Sequence, residues 1–162
     1  MNSKLLNKKS VIRVRNFLKG YNKNINLITL NESARTAKDA ANALNTEVGT
    51  IVKSLLFKDP DNKFYLCLVS GDKYLSITKI SKLIGYQIIK ANADECKDVT
   101  GFSIGGVSPV AHTNNVTKIF IDENLNRYET VYAAAGHPYV VFGILFDDLC
   151  KITNGSIESF VD

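Results

Sequence analysis

The sequence predicts a single mixed α/β domain, because stretches with an apolar period of 3.6 alternate with β-rich runs and no linker-like or low-complexity segment separates them. Its 162 residues, 45% of them hydrophobic, suffice to build one core, and only three prolines interrupt them. Several β-rich runs are joined by short turns. That favours a mostly antiparallel or mixed sheet, since parallel neighbours need a crossover of about a dozen residues or more.

The elements follow in order. Residues 1–9 read as a basic, frayed end, and Ser10 precedes Val11, Val14, Phe17 and Leu18, an amphipathic helical stripe that stops at Gly20. Residues 25–30 read as a strand. Thr36 with Asp39 resembles a capping box, behind which Ala37, Ala40, Ala41 and Leu44 form the packed face of a second helix. A short helix is expected over 47–52. Strands over 54–57 and 64–70 flank Asp59-Pro60-Asp61-Asn62, which predicts a hairpin. A helix over 78–83 ends at Gly85, a brief strand covers 87–90, and Asn92 with Glu95 caps another short helix. The last third offers strands over 118–122, 129–135 and 139–144, then a helix over 147–153 stopped by Asn154-Gly155.

Charge is uneven. Lys4, Lys8, Lys9, Arg13, Arg15, Lys19 and Lys23 precede the first acidic residue, Glu32; without these 7, the remaining 13 basic and 16 acidic residues leave −3 against +4 for the whole chain. The N-terminal segment could therefore attract a polyanion such as RNA, or simply present a solvated helix face. The apolar runs are too short to span a bilayer, and no apolar signal core follows the basic start, so a cytoplasmic protein without membrane association is expected. Cys67, Cys96 and Cys150 are odd in number and far apart, as expected of reduced, structural thiols, with neither a disulfide framework nor a zinc cage.

Three places break the ordinary pattern. Lys53 lies in the apolar run Ile51-Val52-Lys53-Ser54-Leu55-Leu56-Phe57, where a desolvated ammonium either pairs with an anion, such as a substrate phosphate or carboxylate, or snorkels to solvent. The run Gly101-Phe102-Ser103-Ile104-Gly105-Gly106-Val107-Ser108-Pro109 is a shaped loop whose amides can turn toward a carbonyl or phosphate oxygen; an ordinary tight turn is the alternative. It is neither a Walker loop nor a Rossmann fingerprint. In Ala133-Ala134-Ala135-Gly136-His137-Pro138, small side chains leave room beside a histidine that can relay a proton or serve as a turn residue. The sequence lacks H-E-x-x-H and G-x-S-x-G, which disfavours a metal hydrolase and a serine hydrolase.

Taken in order, 48–55 with Lys53, the Gly105 to Pro109 loop, and Ala135-Gly136-His137-Pro138 resemble the YbaK-type family, which includes the prolyl-tRNA synthetase editing domain and its free-standing relatives. The similarity runs from about Thr36 to Thr153. The resemblance implies a mixed α/β fold around a curved, barrel-like sheet flanked by helices. It also implies hydrolysis, without metal or cofactor, of the ester joining a noncognate amino acid to tRNA. In such proteins the lysine, here Lys53, contacts the terminal nucleotide, and the loop, here Gly105, Gly106, Val107, Ser108 and Pro109, holds the aminoacyl carbonyl. Ser54, Gly136, His137 and Pro138 border the amino-acid pocket, with His137 orienting substrate or water. The implied partners are a mischarged tRNA acceptor end and an aminoacyl-tRNA synthetase that recruits the protein. A histidine after the glycine is nearer the alanine-clearing than the cysteine-clearing branch, and Ala, Cys, Ser and Thr all stay open. The alternatives are a non-catalytic tRNA- or nucleotide-binding module and a hydrolase of another small ester.

Overall fold

The computed structural model describes residues 2–31 and 34–162. Helices α1 (Asn2–Leu6) and α2 (Lys9–Tyr21) lead into β1 (Leu27–Thr29), α3 (Ala37–Leu44) and a 3-10 turn over Val48–Thr50. The hairpin β2 (Val52–Lys58) and β3 (Phe64–Ser70) follows, then α4 (Ile77–Ile84), β4 (Ile89–Lys90), α5 (Ala93–Thr100) and β5 (Lys118–Asp122). A second 3-10 turn over Glu123–Arg127 precedes β6 (Thr130–His137), β7 (Val140–Leu145), α6 (Phe146–Thr153) and β8 (Ser156–Glu158).

Local chemistry explains most of these boundaries. At α5, the Asn92 side chain accepts from the Glu95 N–H while the Glu95 carboxylate accepts from the Asn92 N–H, and the helix ends on left-handed Gly101 (φ 81°). Thr36 caps α3 by accepting from the Asp39 N–H, and Asn45 and Asn154 supply the left-handed C-caps of α3 and α6. In the hairpin, the Asp59 carboxylate accepts from the N–H groups of Asp61 and Lys63 and from the Tyr65 hydroxyl, and Asn62 takes φ 59°. Ser10 lies inside the helix rather than before it: Lys8 occupies the cap position without a side-chain bond, and the Ser10 hydroxyl donates to the Gly136 carbonyl at 2.9 Å.

The strands form two sheets, five-stranded in the order β4-β2-β3-β5-β8 and three-stranded in the order β1-β7-β6. Hairpin-type pairs are antiparallel, but β3–β5 and β5–β8 are parallel, so the sheet is more mixed than the short turns suggest. The reason is the long segment between β3 and β5, which carries α4, β4 and α5 and serves as a crossover. No closed barrel forms among the described residues: the two sheets are linked in strand pairing by one isolated bridge, Ile51 to Tyr132.

The main core lies between the two sheets and receives Val11, Val14 and Leu18 of α2. Central strand β3 feeds two cores, Leu66 and Leu68 on one face and Tyr65, Cys67 and Val69 on the other. Truncating a side chain such as Leu66, fully buried, would cost about 2–5 kcal/mol. Burial likewise pushes the Cys67 thiol up to about 12, which makes it inert packing. No helix among the described residues is long and apolar enough to cross a membrane.

Candidate active site

The site begins with a gap in hydrogen bonding along β2. One edge pairs with β3 throughout, whereas the other meets β4 only at Phe57 and Lys58 and β6 only through the bridge at Ile51. On that second edge the Leu56 carbonyl accepts from the Ala91 N–H at 3.0 Å, so strand alternation turns the N–H and C=O of Ser54 the same way, into the gap. A cavity of about 330 Å³ occupies it. Ala37 and Ala40 of α3 and Tyr132 and Ala134 of β6 form its walls, and Ile104, Gly105 and Val107 of the glycine loop face it.

Lys53 and Ser54 both line this cavity. The Lys53 ammonium, half-buried, donates to the Lys73 carbonyl and stands 5.0 Å from the centroid of the Tyr74 ring. It forms no ion pair among the described residues. Burial lowers its pKa, with the charges of Asp72 and Asp122 opposing that shift. The turn that offers the Lys73 carbonyl is pinned by Arg127, whose guanidinium holds Asp72 at 2.7 Å and draws that carboxyl down to about 2. The Ser54 hydroxyl is a buried oxygen with no hydrogen-bond partner among the described residues. A buried hydroxyl left so is costly unless a ligand meets it.

The glycine loop and the Gly136–Pro138 turn lie directly on one another. A Cβ on Gly106 would stand 2.9 Å from the His137 Cα, and one on Gly105 would meet the Pro138 ring at 3.4 Å. Gly105 and Gly136 have φ near +90°, which only glycine adopts readily. The Gly106 N–H closes the loop's own turn on the Ser103 carbonyl at 3.0 Å. The amides of Gly105 and Val107, both cavity residues, make no such turn bond among the described residues.

Pro138 also lines the cavity, but Gly106, Ser108, Pro109, Gly136 and His137 do not. They form the layer behind it. The His137 Nδ1 accepts from the Tyr139 N–H at 3.1 Å, which leaves the proton of the neutral ring on Nε2, and the ring stands edge-on to Tyr139. Burial, then the nearby charge of Lys8, lowers its pKa. Ser108 is fully buried; its carbonyl accepts from the His112 Nε2 at 2.7 Å and its hydroxyl accepts from the Val110 N–H. Pro109 faces a separate groove that it shares with Arg13 and His112.

Arg13 braces this layer from α2. Its Nε donates to the Ala111 carbonyl at 2.8 Å, a second nitrogen donates to the Thr100 carbonyl at 3.3 Å, and the guanidinium lies 4.5 Å over the Phe102 ring. Ala111 itself is held at φ 65°, a left-handed value unfavourable for alanine. Sequence reasoning passed over Arg13 as a positioning group and over Tyr132, Lys90 and Cys96 as cavity residues. The one available signal was the alanine spacing of α3, whose small side chains admit a cavity as readily as a packed face.

Among the described residues, no group of three or more His, Cys, Asp or Glu side chains could hold a metal ion. With the geometry in place, the family comparison is decisive: residues 31–152 match the model described as the aminoacyl-tRNA editing domain. The chain belongs to that family.

This editing domain is similar to a solved structure described as a candidate trans-editing enzyme for prolyl tRNA synthetase, with a TM-score of 0.90, 36% identity, and 96% and 98% of the two chains covered. It is 26% identical to the protein YwhH of Bacillus subtilis over 127 residues, 78% of this chain and 80% of that one. It is also 34% identical over 102 residues to the proline--tRNA ligase of Lactobacillus acidophilus. That match covers 62% of this chain but 18% of the synthetase, so only a portion of such an enzyme is comparable.

Proposed function

We propose that this editing domain hydrolyses, in trans, the ester bond of a mischarged aminoacyl-tRNA bearing a small amino acid such as Ala, Cys, Ser or Thr. The observation that supports this most is that Lys53 and Gly105, far apart in sequence, line one cavity. Ester hydrolysis develops negative charge on the carbonyl oxygen, and fixed amides in a dry pocket stabilise it, commonly by about 3–4 kcal/mol per donor. The Gly105 and Val107 amides are assigned that role. Lys53 leaves the Lys73 carbonyl to grip a phosphate of the RNA end, an exchange of a neutral acceptor for an anionic one.

The buried Ser54 hydroxyl meets the polar end of the amino acid, while Ala37, Ala40 and Ala134 leave room for a small side chain. A ribose hydroxyl of the substrate positions the attacking water, since no carboxylate among the described residues lines the cavity. His137 acts from outside the cavity by fixing the turn that carries Pro138. Recruitment by a prolyl-tRNA synthetase is consistent with the relatives named above, and the cellular site of action is the cytoplasm.

The test is a deacylation panel with tRNAs charged with Ala, Cys, Ser, Thr and a large control amino acid, run without added metal. Release from at least one small-residue substrate is expected, abolished by Lys53→Ala with the thermal melt unchanged. Full release by Lys53→Ala would refute the assignment, and tight binding without turnover across the panel would make the protein a binding module.

A further inference from the structure

Lys53 directs attention beyond the cavity. Its ammonium leans out of the gap onto the turn after β3 and stands 5.0 Å from the Tyr74 ring. Tyr74 is 76% exposed, more than any other large apolar or aromatic side chain described. Its backbone is nonetheless tied down. The Tyr74 carbonyl accepts from the Asp162 N–H at 2.9 Å, Leu75 bridges to Val161, and the Ser76 N–H donates to the Phe160 carbonyl at 2.8 Å. On the other side, the Arg127–Asp72 pair fixes the turn. A rigid stem thus carries a bare aromatic ring into solvent.

The other exposed rings differ. Tyr21 donates its hydroxyl to Asp148, and Phe17 lies in the groove behind the glycine loop. Tyr74 has Lys53, a cation lining the cavity, over its face. A flat, preorganised aromatic surface beside a lysine that meets a phosphate is the chemistry of single-strand recognition, where bases stack on rings and cations track the backbone.

We infer that Tyr74 is a stacking platform for a nucleobase of the single-stranded RNA end whose ester enters the cavity. This rests on the editing reading and names a second contact with the same substrate: cavity for the amino acid, Lys53 for the phosphate, Tyr74 for a base. Stacking does not depend on base identity, so this contact adds affinity for the unpaired 3′ end and leaves the choice of tRNA to other surfaces.

The chain has no tryptophan, so Tyr74→Trp creates a single fluorophore at the platform. The variant is titrated with an uncharged trinucleotide of the tRNA 3′ end and with the same sugar-phosphate backbone lacking bases. Saturable quenching by the first and not the second is expected; equal response to both, or none, overturns the proposal. In steady-state deacylation, Tyr74→Ala should raise KM by about 5- to 150-fold with kcat little changed, and Tyr74→Phe should restore KM. An equal loss on a base-free substrate would mean the ring merely seats Lys53 and would also overturn it. Quenching requires no hydrolysis, so base-dependent quenching with no release on any charged tRNA would sink the editing reading and leave the platform standing.

Discussion

Gly106→Ala is the sharpest test of the loop, because the obstacle it creates is purely spatial. Gly106 has no positive φ, so alanine suits its backbone, yet the new Cβ would sit 2.9 Å from the His137 Cα, 3.0 Å from the His137 nitrogen and 3.2 Å from the Gly136 carbonyl carbon. All three are backbone atoms that cannot rotate away. Since carbon atoms prefer about 3.5–4.0 Å, the loop must retreat by about 0.5–1 Å. Overpacking of this kind costs about 1–3 kcal/mol of stability. The larger effect falls on catalysis, where a displacement of about 1 Å, or loss of one oxyanion donor, lowers rate by about 100-fold or more. Single-turnover deacylation beside a thermal melt separates the two. A variant that releases amino acid within about two-fold of the parent rate while still folded would mean that the amides next to Gly106 do not hold the carbonyl.

Other expectations follow from the same geometry. Arg13→Ala removes the brace on Ala111 and Thr100 and should cost about 1.5–3 kcal/mol in urea unfolding, with kcat falling more than KM rises; an unchanged kcat would reduce Arg13 to packing. Asp72 has its folded pKa lowered to about 2 from 3.8, so its contribution to stability is complete above about pH 4 and disappears as pH falls toward 2. The stability difference between the parent and Asp72→Asn should therefore shrink across that window, and a difference constant from pH 5 to pH 2 would contradict the assignment. Changing Lys8, Lys9 and Lys19 to Glu should weaken tRNA binding and reduce the salt slope. Arg13 is excluded from that set because its guanidinium is engaged inside the molecule. A slope equal to the parent's would assign the basic helix to solvation.

Much of the fold was legible because its signals are local. Asn92 with Glu95 and Gly101 bracket α5, Thr36 starts α3, the Asp59 to Asn62 turn closes the hairpin, and the Val11, Val14, Leu18 stripe faces the core. What escaped is non-local. Parallel pairing of β3 with β5 and of β5 with β8 depends on a long crossover, and no pattern within β8 signals its partner. Ser10 illustrates the limit: it precedes a helical stripe in sequence, but a carbonyl 126 residues away takes its hydroxyl. The site divides the same way. Lys53 and the glycine loop stood out because their residue types conflict with an ordinary strand or helix, whereas Ser54 entered only through the family resemblance. Tyr132, Lys90 and Cys96 are unremarkable in their own segments and become cavity residues only when β2 is left with a bare stretch between β4 and β6.

That bare stretch has a wider consequence. Strand edges with unsatisfied amides are where foreign chains add themselves, and natural sheets commonly blunt them with charge, proline or a cover. Here the exposed backbone of β2 lies recessed beneath α3 and the glycine loop. A cover of this kind keeps a neighbouring polypeptide from adding a strand along β2. The cover thus keeps a sticky edge from nucleating aggregation and leaves the same hydrogen-bonding groups to a guest that fits a cavity of about 330 Å³.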